Sequence, residues 1–322
     1  MIRMKRRAAL YGLAALAAAR SARAAEWSPR GRPITLIVPF AAGGTTDVGA
    51  RLLAAAMERE LGAAVQVVNR PGATTQIGAT ELARARPDGH TLGLMSLPSL
   101  SMTYLDAERR APYGRSAFTP IAHFIADANM LAVQAGSRFR SAADLVAAAR
   151  AEPRRIRVGT VGLMSNAHLP GVALERAAGV RFAFVHFNGG APLIAGLLGG
   201  NVDAAINGSQ TTIPQERAGT LRAIGTFAQE RSPFFPDTPT LIEQGFDVSQ
   251  PSAFALLGPA ALPAEVVATL TATVKRAAET EEVQRRVADV ALTVRYMDPP
   301  TLAAFWAEAE QRQRPLIELA RQ

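Results

Sequence analysis

Short apolar runs and segments of helical period alternate along most of the chain. Residues 34–40 (ITLIVPF) form a continuous apolar run, as expected of a strand buried on both faces. Thr45–Leu61 places Val48, Leu52, Ala55 and Ala56 at i, i+4, i+7 and i+8, which predicts a helix, and Gly62 stands where a helix stop is expected. Val65–Asn69 predicts a strand. A helix over 76–86 ends at the turn Pro87-Asp88-Gly89, and Thr91–Ser96 predicts a third strand. This β-α-β-α-β order implies a parallel sheet with right-handed crossovers. Residues 97–117 read as a long surface loop.

Strands are predicted at 118–125 and 130–135, and the alternation then restarts. Helices at Ala142–Ala151, 166–178 and 191–198 alternate with strands at 156–159, 182–187, 204–206 and 221–227. A strand at 252–258 is followed by helical stretches at 264–290 and 300–320, with a strand at 292–296 between them. Two α/β units with strands passing between them predict two lobes joined by a hinge. Folds of this kind hold their ligand in the cleft, at the carboxyl ends of the strands.

Composition narrows the chemistry. Of 322 residues 48% are apolar, enough for a large core, so a disordered chain is excluded. With no cysteine, disulfides, thiolate metal sites and cysteine nucleophiles are excluded as well. The formal charge of +8 is concentrated at the start, where residues 1–24 hold Arg3, Lys5, Arg6, Arg7, Arg20 and Arg23 and no acid. Without those six, 29 basic residues face 27 acidic ones, a charge of +2. A basic patch for nucleic acid or an anionic membrane is therefore not indicated. The same residues read as an export signal: a basic start, an uncharged run over 8–19 too short to span a bilayer, and Ala22-Arg23-Ala24 as a small-x-small cleavage pattern. Cleavage after Ala24 would make Ala25 the mature N-terminus of a soluble, periplasmic protein. Lys5-Arg6-Arg7 leaves both the general secretory and the twin-arginine route open.

The candidate chemistry lies in strand–turn–helix junctions. In Val38-Pro39-Phe40-Ala41-Ala42-Gly43-Gly44-Thr45-Thr46-Asp47, two glycines separate a strand from a helix. The first N–H groups of that helix lack internal partners and the helix dipole is positive there, which makes a cradle for a carboxylate or phosphate. Thr45, Thr46 or Asp47 is expected to be the N-cap. No lysine follows the glycines, so this is not a nucleotide-binding P-loop. Asn69-Arg70-Pro71-Gly72-Ala73-Thr74-Thr75-Gln76 repeats the geometry, and its hydroxyls and amide could face the same cleft. In the second unit, Ser165, Asn166 and His168 sit at a helix start, His186-Phe187-Asn188-Gly189-Gly190-Ala191-Pro192 is another strand–glycine–helix turn, and Asn207 ends a strand. Neither a nucleophile elbow nor a His-Glu-x-x-His motif occurs, and the four histidines show no metal-ligand spacing. The residues imply no cofactor, no metal and no enzyme. The competing enzymatic reading is an exported hydrolase using His168 with Ser165.

Several short motifs recur in one order: Arg32-Pro33-Ile34, Val38-Pro39-Phe40-x-x-Gly43-Gly44-x-x-Asp47, Ala50-Arg51, Asn69-Arg70-Pro71-Gly72-Ala73, Ile77-Gly78-Ala79 and Pro87-Asp88-Gly89-x-Thr91-Leu92. They continue with Phe118-Thr119-Pro120-Ile121, His168-Leu169, Gly189-x-Ala191-Pro192, Leu197-x-Gly199-Gly200-x-Val202-Asp203 and Phe235-Pro236-Asp237-x-Pro239-Thr240. In this order and spacing the sequence resembles the extracytoplasmic solute-binding proteins of tripartite tricarboxylate transporters, the Bug or TctC-like family. The resemblance runs from about Arg32 to the C-terminal helix.

The resemblance implies an α/β, two-lobed periplasmic-binding-protein type II fold, each lobe a sheet flanked by helices, with the ligand in the interlobe cleft. Residues 25–127 and 253–322 would form lobe 1 and residues 128–252 lobe 2, with the hinge near 130–135 and 253–258. It implies a small organic carboxylate as ligand, membrane permease subunits as partners, and a monomer. A binding protein serving a sensor instead is the other possibility. By resemblance the ligand-binding positions are Phe40, Ala42, Gly43, Gly44, Thr45, Thr46 and Asp47, then Ala73, Thr74, Thr75, Gln76 and Ser99 in lobe 1. Lobe 2 would add Thr160, Asn166, His168, Gly189, Gly190, Ala191 and Asn207. The chain departs from the family pattern at Thr74-Thr75, where Gly-Gly is usual, and at Val161, Leu163 and Met164, in a loop usually rich in Gly, Ser and Thr. It departs again at Asn207, where Asp is frequent, and at Ser252-Ala253, where an aromatic residue is frequent.

Overall fold

Strand β1, Ile34–Val38, is buried along nearly its whole length, as a run of Ile, Leu and Val must be in a sheet covered on both faces. It pairs in parallel with β2 (Val65–Asn69) on one side and β3 (Thr91–Ser96) on the other. The crossovers run through α1 (Thr45–Leu61) and α2 (Gln76–Ala83). Antiparallel β10 (Ser252–Pro259), β4 (Phe118–Asp127) and β11 (Thr293–Met297) complete a six-stranded sheet ordered β11-β4-β10-β3-β1-β2. The computed structural model describes residues 27–29, 31–250 and 252–321. The expected signal segment and cleavage site lie outside the described residues.

A second, five-stranded sheet is ordered β7-β6-β8-β5-β9, from β5 (Asn129–Gln134), β6 (Arg157–Val161), β7 (Ala183–Phe187), β8 (Ala204–Gly208) and β9 (Leu221–Thr226). It is flanked by α4 (Ala142–Ala151), α5 (His168–Ala178), α6 (Gly190–Leu198) and α7 (Ser209–Arg217). Each sheet has its own apolar core. The chain passes between the sheets twice: through Ala128, the one residue between β4 and β5, and back over residues 227–251. The predicted strands at 130–135 and 252–258 are thus sheet strands, and the tight crossing falls at their edge.

Two segments differ from the sequence reading. Residues 97–117 are not a surface loop: Leu97–Leu105 forms helix α3, with Leu97, Ser99, Leu100, Ser101, Met102 and Thr103 all buried. Its buried hydroxyls find partners inside, Thr103 at the Leu100 carbonyl and Ser101 at the Trp306 indole. Helix α7 was not expected at all, because SQTTIPQER is polar and contains Pro214. The C-terminal elements are α8 (Ala264–Glu279), α9 (Glu281–Asp289) and α10 (Pro299–Arg321). Helix α10 spans the two lobes. Its Leu316 packs with Met102 of α3 and with Met164, Leu169 and Val172 of the second lobe.

Candidate functional site

The two lobes face each other across a cavity of about 240 Å3. On the first-lobe side the β1–α1 loop forms the wall, contributing Phe40, Ala42, Gly43, Gly44, Thr45 and Thr46. Gly43 has φ +83°, a left-handed backbone that glycine adopts without strain. The N-cap of α1 is Gly44, with no side chain capping it, and not Thr45, Thr46 or Asp47 as expected. Asp47 is the third residue of the helix, and its side chain reaches back past the N-cap. Its carboxylate accepts the Gly43 amide at 2.9 Å, the Arg51 guanidinium at 3.0 Å and the Asn69 amide at 2.9 Å. Burial alone would raise the Asp47 pKa, but the hydrogen bonds from Arg51, Gly43 and Asn69 outweigh it and hold the carboxyl below its ordinary range. Asp47 and Arg51 are therefore spent on each other behind the loop, and Arg70 pairs with Glu81 at 2.8 Å.

The second-lobe wall repeats the same device. Gly189 is the N-cap of α6 and Gly208 that of α7, again without side-chain caps. Gly189, Gly190, Ala191, Asn166 and Asn207 all line the cavity. Three helix N-termini, each with a glycine cap, therefore converge from two lobes. That of α7 is already served. Asp127, the last residue of β4, accepts both the amide (3.0 Å) and the hydroxyl of Ser209, and its other oxygen accepts the Thr45 hydroxyl at 3.2 Å. A Cβ on Gly208 would lie 2.2 Å from that oxygen, so only glycine lets the carboxylate this close. The N-termini of α1 and α6 remain open to the cavity. Among the described residues, its wall contains no Asp, Glu, His, Lys or Arg.

The other expected positions lie outside this wall. Ala73, Thr74 and Thr75 form a left-handed turn, with φ of 45°, 47° and 78°. The turn reaches across to the opposite lobe: the Thr74 hydroxyl donates to the Leu163 carbonyl at 3.2 Å, and Arg109 donates to that same carbonyl at 3.0 Å. Arg109 also holds the Ala73 carbonyl, and Gln76 holds that of Arg109. Ser99 accepts the Asn166 amide at 3.0 Å, another bond between lobes. The Thr160 hydroxyl lies 2.8 Å from His186 Nδ1. His168 is buried and packs edge-on against Phe184 and His186, and its Nδ1 accepts the Met164 amide at 3.0 Å. Burial, reinforced by His186, pushes the His168 pKa down to about 3. The Ser165 hydroxyl oxygen accepts the amides of Ala167 and His168. Both members of the supposed hydrolase pair thus serve the local backbone.

The sequence reading missed Asn129, Thr211 and Phe254 in the wall. Asn129 ties the crossing to both lobes, donating to the Asn166 carbonyl at 2.8 Å and to Ser252 at 3.1 Å. Phe254, in β10, brings a ring to the wall and was legible only as a strand residue.

The model of the tripartite tricarboxylate transporter family receptor, TctC, matches residues 49–321. BugT of Bordetella pertussis is 30% identical over 284 residues, covering 87% of each chain. Among solved structures, the periplasmic binding protein BugD superposes with a TM-score of 0.81 at 28% identity, over 89% of this chain and 97% of BugD. MatC from Rhodopseudomonas palustris with bound malate gives 0.81 at 29%, over 88% and 98%. An R. palustris protein with adipate gives 0.84 at 27%, over 90% and 97%. The family and these structural neighbours are solute-binding proteins, not enzymes. The chain belongs to the TctC family of tripartite tricarboxylate transporter receptors. Members of that family are periplasmic binding proteins, and among the described residues no helix is long and apolar enough to cross a membrane.

Proposed function

We propose that this protein captures a small organic carboxylate between its lobes by hinge closure and presents it to the membrane permease of a tripartite tricarboxylate-type transporter. It would work in the periplasm, as a monomer, after removal of residues 1–24. Lobe 1 would be residues 25–127 with 253–322, and lobe 2 residues 128–252. The observation that carries the reading is the convergence of the uncapped N-termini of α1 and α6, from opposite lobes, on a cavity with no charged wall residue. Micromolar affinity needs roughly 8 kcal/mol. Hydrogen bonds to a charged group contribute about 1.5–3 kcal/mol each and helix dipoles about 0.3–2. Four or five such contacts suffice after the entropy of binding, without an arginine clamp. The malate and adipate seen in two structural neighbours are ligands of this chemistry.

In this reading Phe40, Ala42, Gly43, Gly44, Thr45, Thr46, Asn166, Gly189, Gly190, Ala191 and Asn207 contact the ligand. Ala73, Thr74, Thr75, Gln76, Ser99, Thr160 and His168 position the loops that close over it, and Asp47 braces the first of them. The test is native mass spectrometry of gently purified protein, followed by denaturation and identification of the released molecule. A bound organic acid near one per chain supports the reading. If the protein is empty and no acid in a carboxylate panel raises its melting temperature, the carboxylate assignment is wrong.

A further inference from the structure

Among the described residues, one buried side-chain donor in the cavity wall has no partner. Asn207 is the next-to-last residue of the buried strand β8, is only 7% exposed, and lines the cavity. Its Oδ1 accepts the Gly208 amide at 3.0 Å. Only the oxygen of a carboxamide can accept an N–H, so this bond fixes which way the group faces. Nδ2 is left buried without an acceptor. It stands against the first residue of α6, where a Cβ on Gly190 would lie 3.3 Å away. The nearby Thr211 hydroxyl is turned to the Gly208 carbonyl at 3.0 Å. A buried unpaired donor is costly, and a bound acceptor removes that cost.

The surroundings sharpen what that acceptor can be. The wall holds no acid. The two carboxylates bonded to wall residues have their oxygens occupied, Asp47 by Arg51, Asn69 and Gly43, and Asp127 by Ser209 and Thr45. An ammonium placed beside Nδ2 would meet another donor and the positive end of α6, and no carboxylate lines the wall to receive it. We infer that Asn207 donates through Nδ2 to an oxygen at the α6 end of the bound acid, the end away from the α1 amides. The pocket thereby selects acids ending in an acceptor, a carbonyl or a second carboxylate, over acids ending in an ammonium. This rests on the carboxylate reading of the same cavity.

The experiment uses straight-chain acids of five to eight atoms in four matched series: diacids, oxo-acids, ω-amino acids and plain fatty acids, titrated calorimetrically into the mature protein. Wild type is expected to bind the best diacid or oxo-acid at least tenfold more tightly than the amino acid of equal length. Asn207→Asp keeps the shape and the bond from Gly208 but replaces the donor with an acceptor, and it should reverse that order. Asn207→Ala should bring diacids and oxo-acids down to the level of the plain acids, and it decides the matter if melting shows that the aspartate variant does not fold. Equal binding of the amino acid by wild type, or an unchanged order in the folded variants, overturns the inference. If Gly44→Val abolishes binding while the Asn207 variants keep the wild-type order, this inference alone fails. If no acid binds wild type, or Gly44→Val binds all of them as wild type does, the carboxylate reading beneath it fails.

Discussion

The Thr45 hydroxyl donates to Asp127 Oδ2 at 3.2 Å, joining the first residue of the cradle helix to the last residue before the chain crosses to the other lobe. Through its other oxygen Asp127 caps α7 at Ser209, so one carboxylate touches both walls of the ligand cleft. Burial pushes the Asp127 pKa up to about 6, although the bonds from Ser209 and Thr45 pull the other way. A raised carboxyl pKa means the folded protein holds a proton that the unfolded chain has released. This group's contribution to stability is full below about pH 4 and is lost as pH rises through about 6. Asp127→Asn keeps an acceptor for Ser209 and removes the titration. Relative to this variant, wild type should become more stable as pH falls from 7.5 to 5, measured by thermal melting at both values. Parallel melting temperatures would show that the carboxyl does not titrate there.

The buried histidines act in the opposite sense. Burial pushes His123 down to about 4, against a pull from the Arg295 carbonyl, and His168 down to about 3. Both fold neutral and would charge on unfolding at pH below about 6.5. Their contribution is present above that value and lost as pH falls toward the folded values. These two histidines alone should cost the protein stability on acidification from pH 6.5 to 4.5. His168→Asn keeps an acceptor for the Met164 amide and should reduce the slope by about one proton. Proton uptake on unfolding, from melting temperature against pH, measures it, and an unchanged slope refutes the assignment.

One carbonyl gathers two bonds between the lobes. Leu163 in the second lobe accepts from both Thr74 and Arg109 of the first. Thr74→Gly and Arg109→Ala each remove one donor and leave the cavity wall untouched. Each should weaken ligand binding about three- to tenfold through faster dissociation, because the closed form is less populated. Small-angle scattering should show the empty double variant more open than wild type. Wild-type dissociation rates in both variants would show that these bonds play no part in closure.

Gly44 tests the cradle itself. Its φ of −83° suits any residue, and a Cβ there would meet nothing nearer than 3.9 Å. Gly44→Val should therefore fold with a melting temperature within about 2 °C of the empty wild type. Its side chain blocks the approach to the α1 amides and should weaken binding at least a hundredfold, an effect of about 3 kcal/mol. Wild-type affinity in the folded variant counts against the cradle.

The strand–helix rhythm was legible because both sheets are built largely from Val, Ile, Leu and Ala runs that announce burial. Helix α3 was not, because Ser99, Ser101 and Thr103 look like loop residues until the Asn166 amide meets Ser99, the Trp306 indole meets Ser101, and Tyr113 and the Leu100 carbonyl meet Thr103. The glycines of the cleft wall were readable as backbone turns. The side chains were not: Asp47 is drawn away by Arg51 and Asn69, which lie 4 and 22 residues off in sequence. The Thr74–Leu163 contact and the free Nδ2 of Asn207 belong to the meeting of lobes and to a rotamer, neither of which leaves a sequence period.

A cleft whose walls hold only amide dipoles and neutral side chains supplies no counter-ion. An acid captured there keeps its whole charge, and the protein acquires it. On a chain whose residues after 24 balance to +2, one monoanion halves the net charge and a dianion cancels it. Loaded and empty molecules then migrate differently in an electric field, so occupancy can be counted by isoelectric focusing without a label.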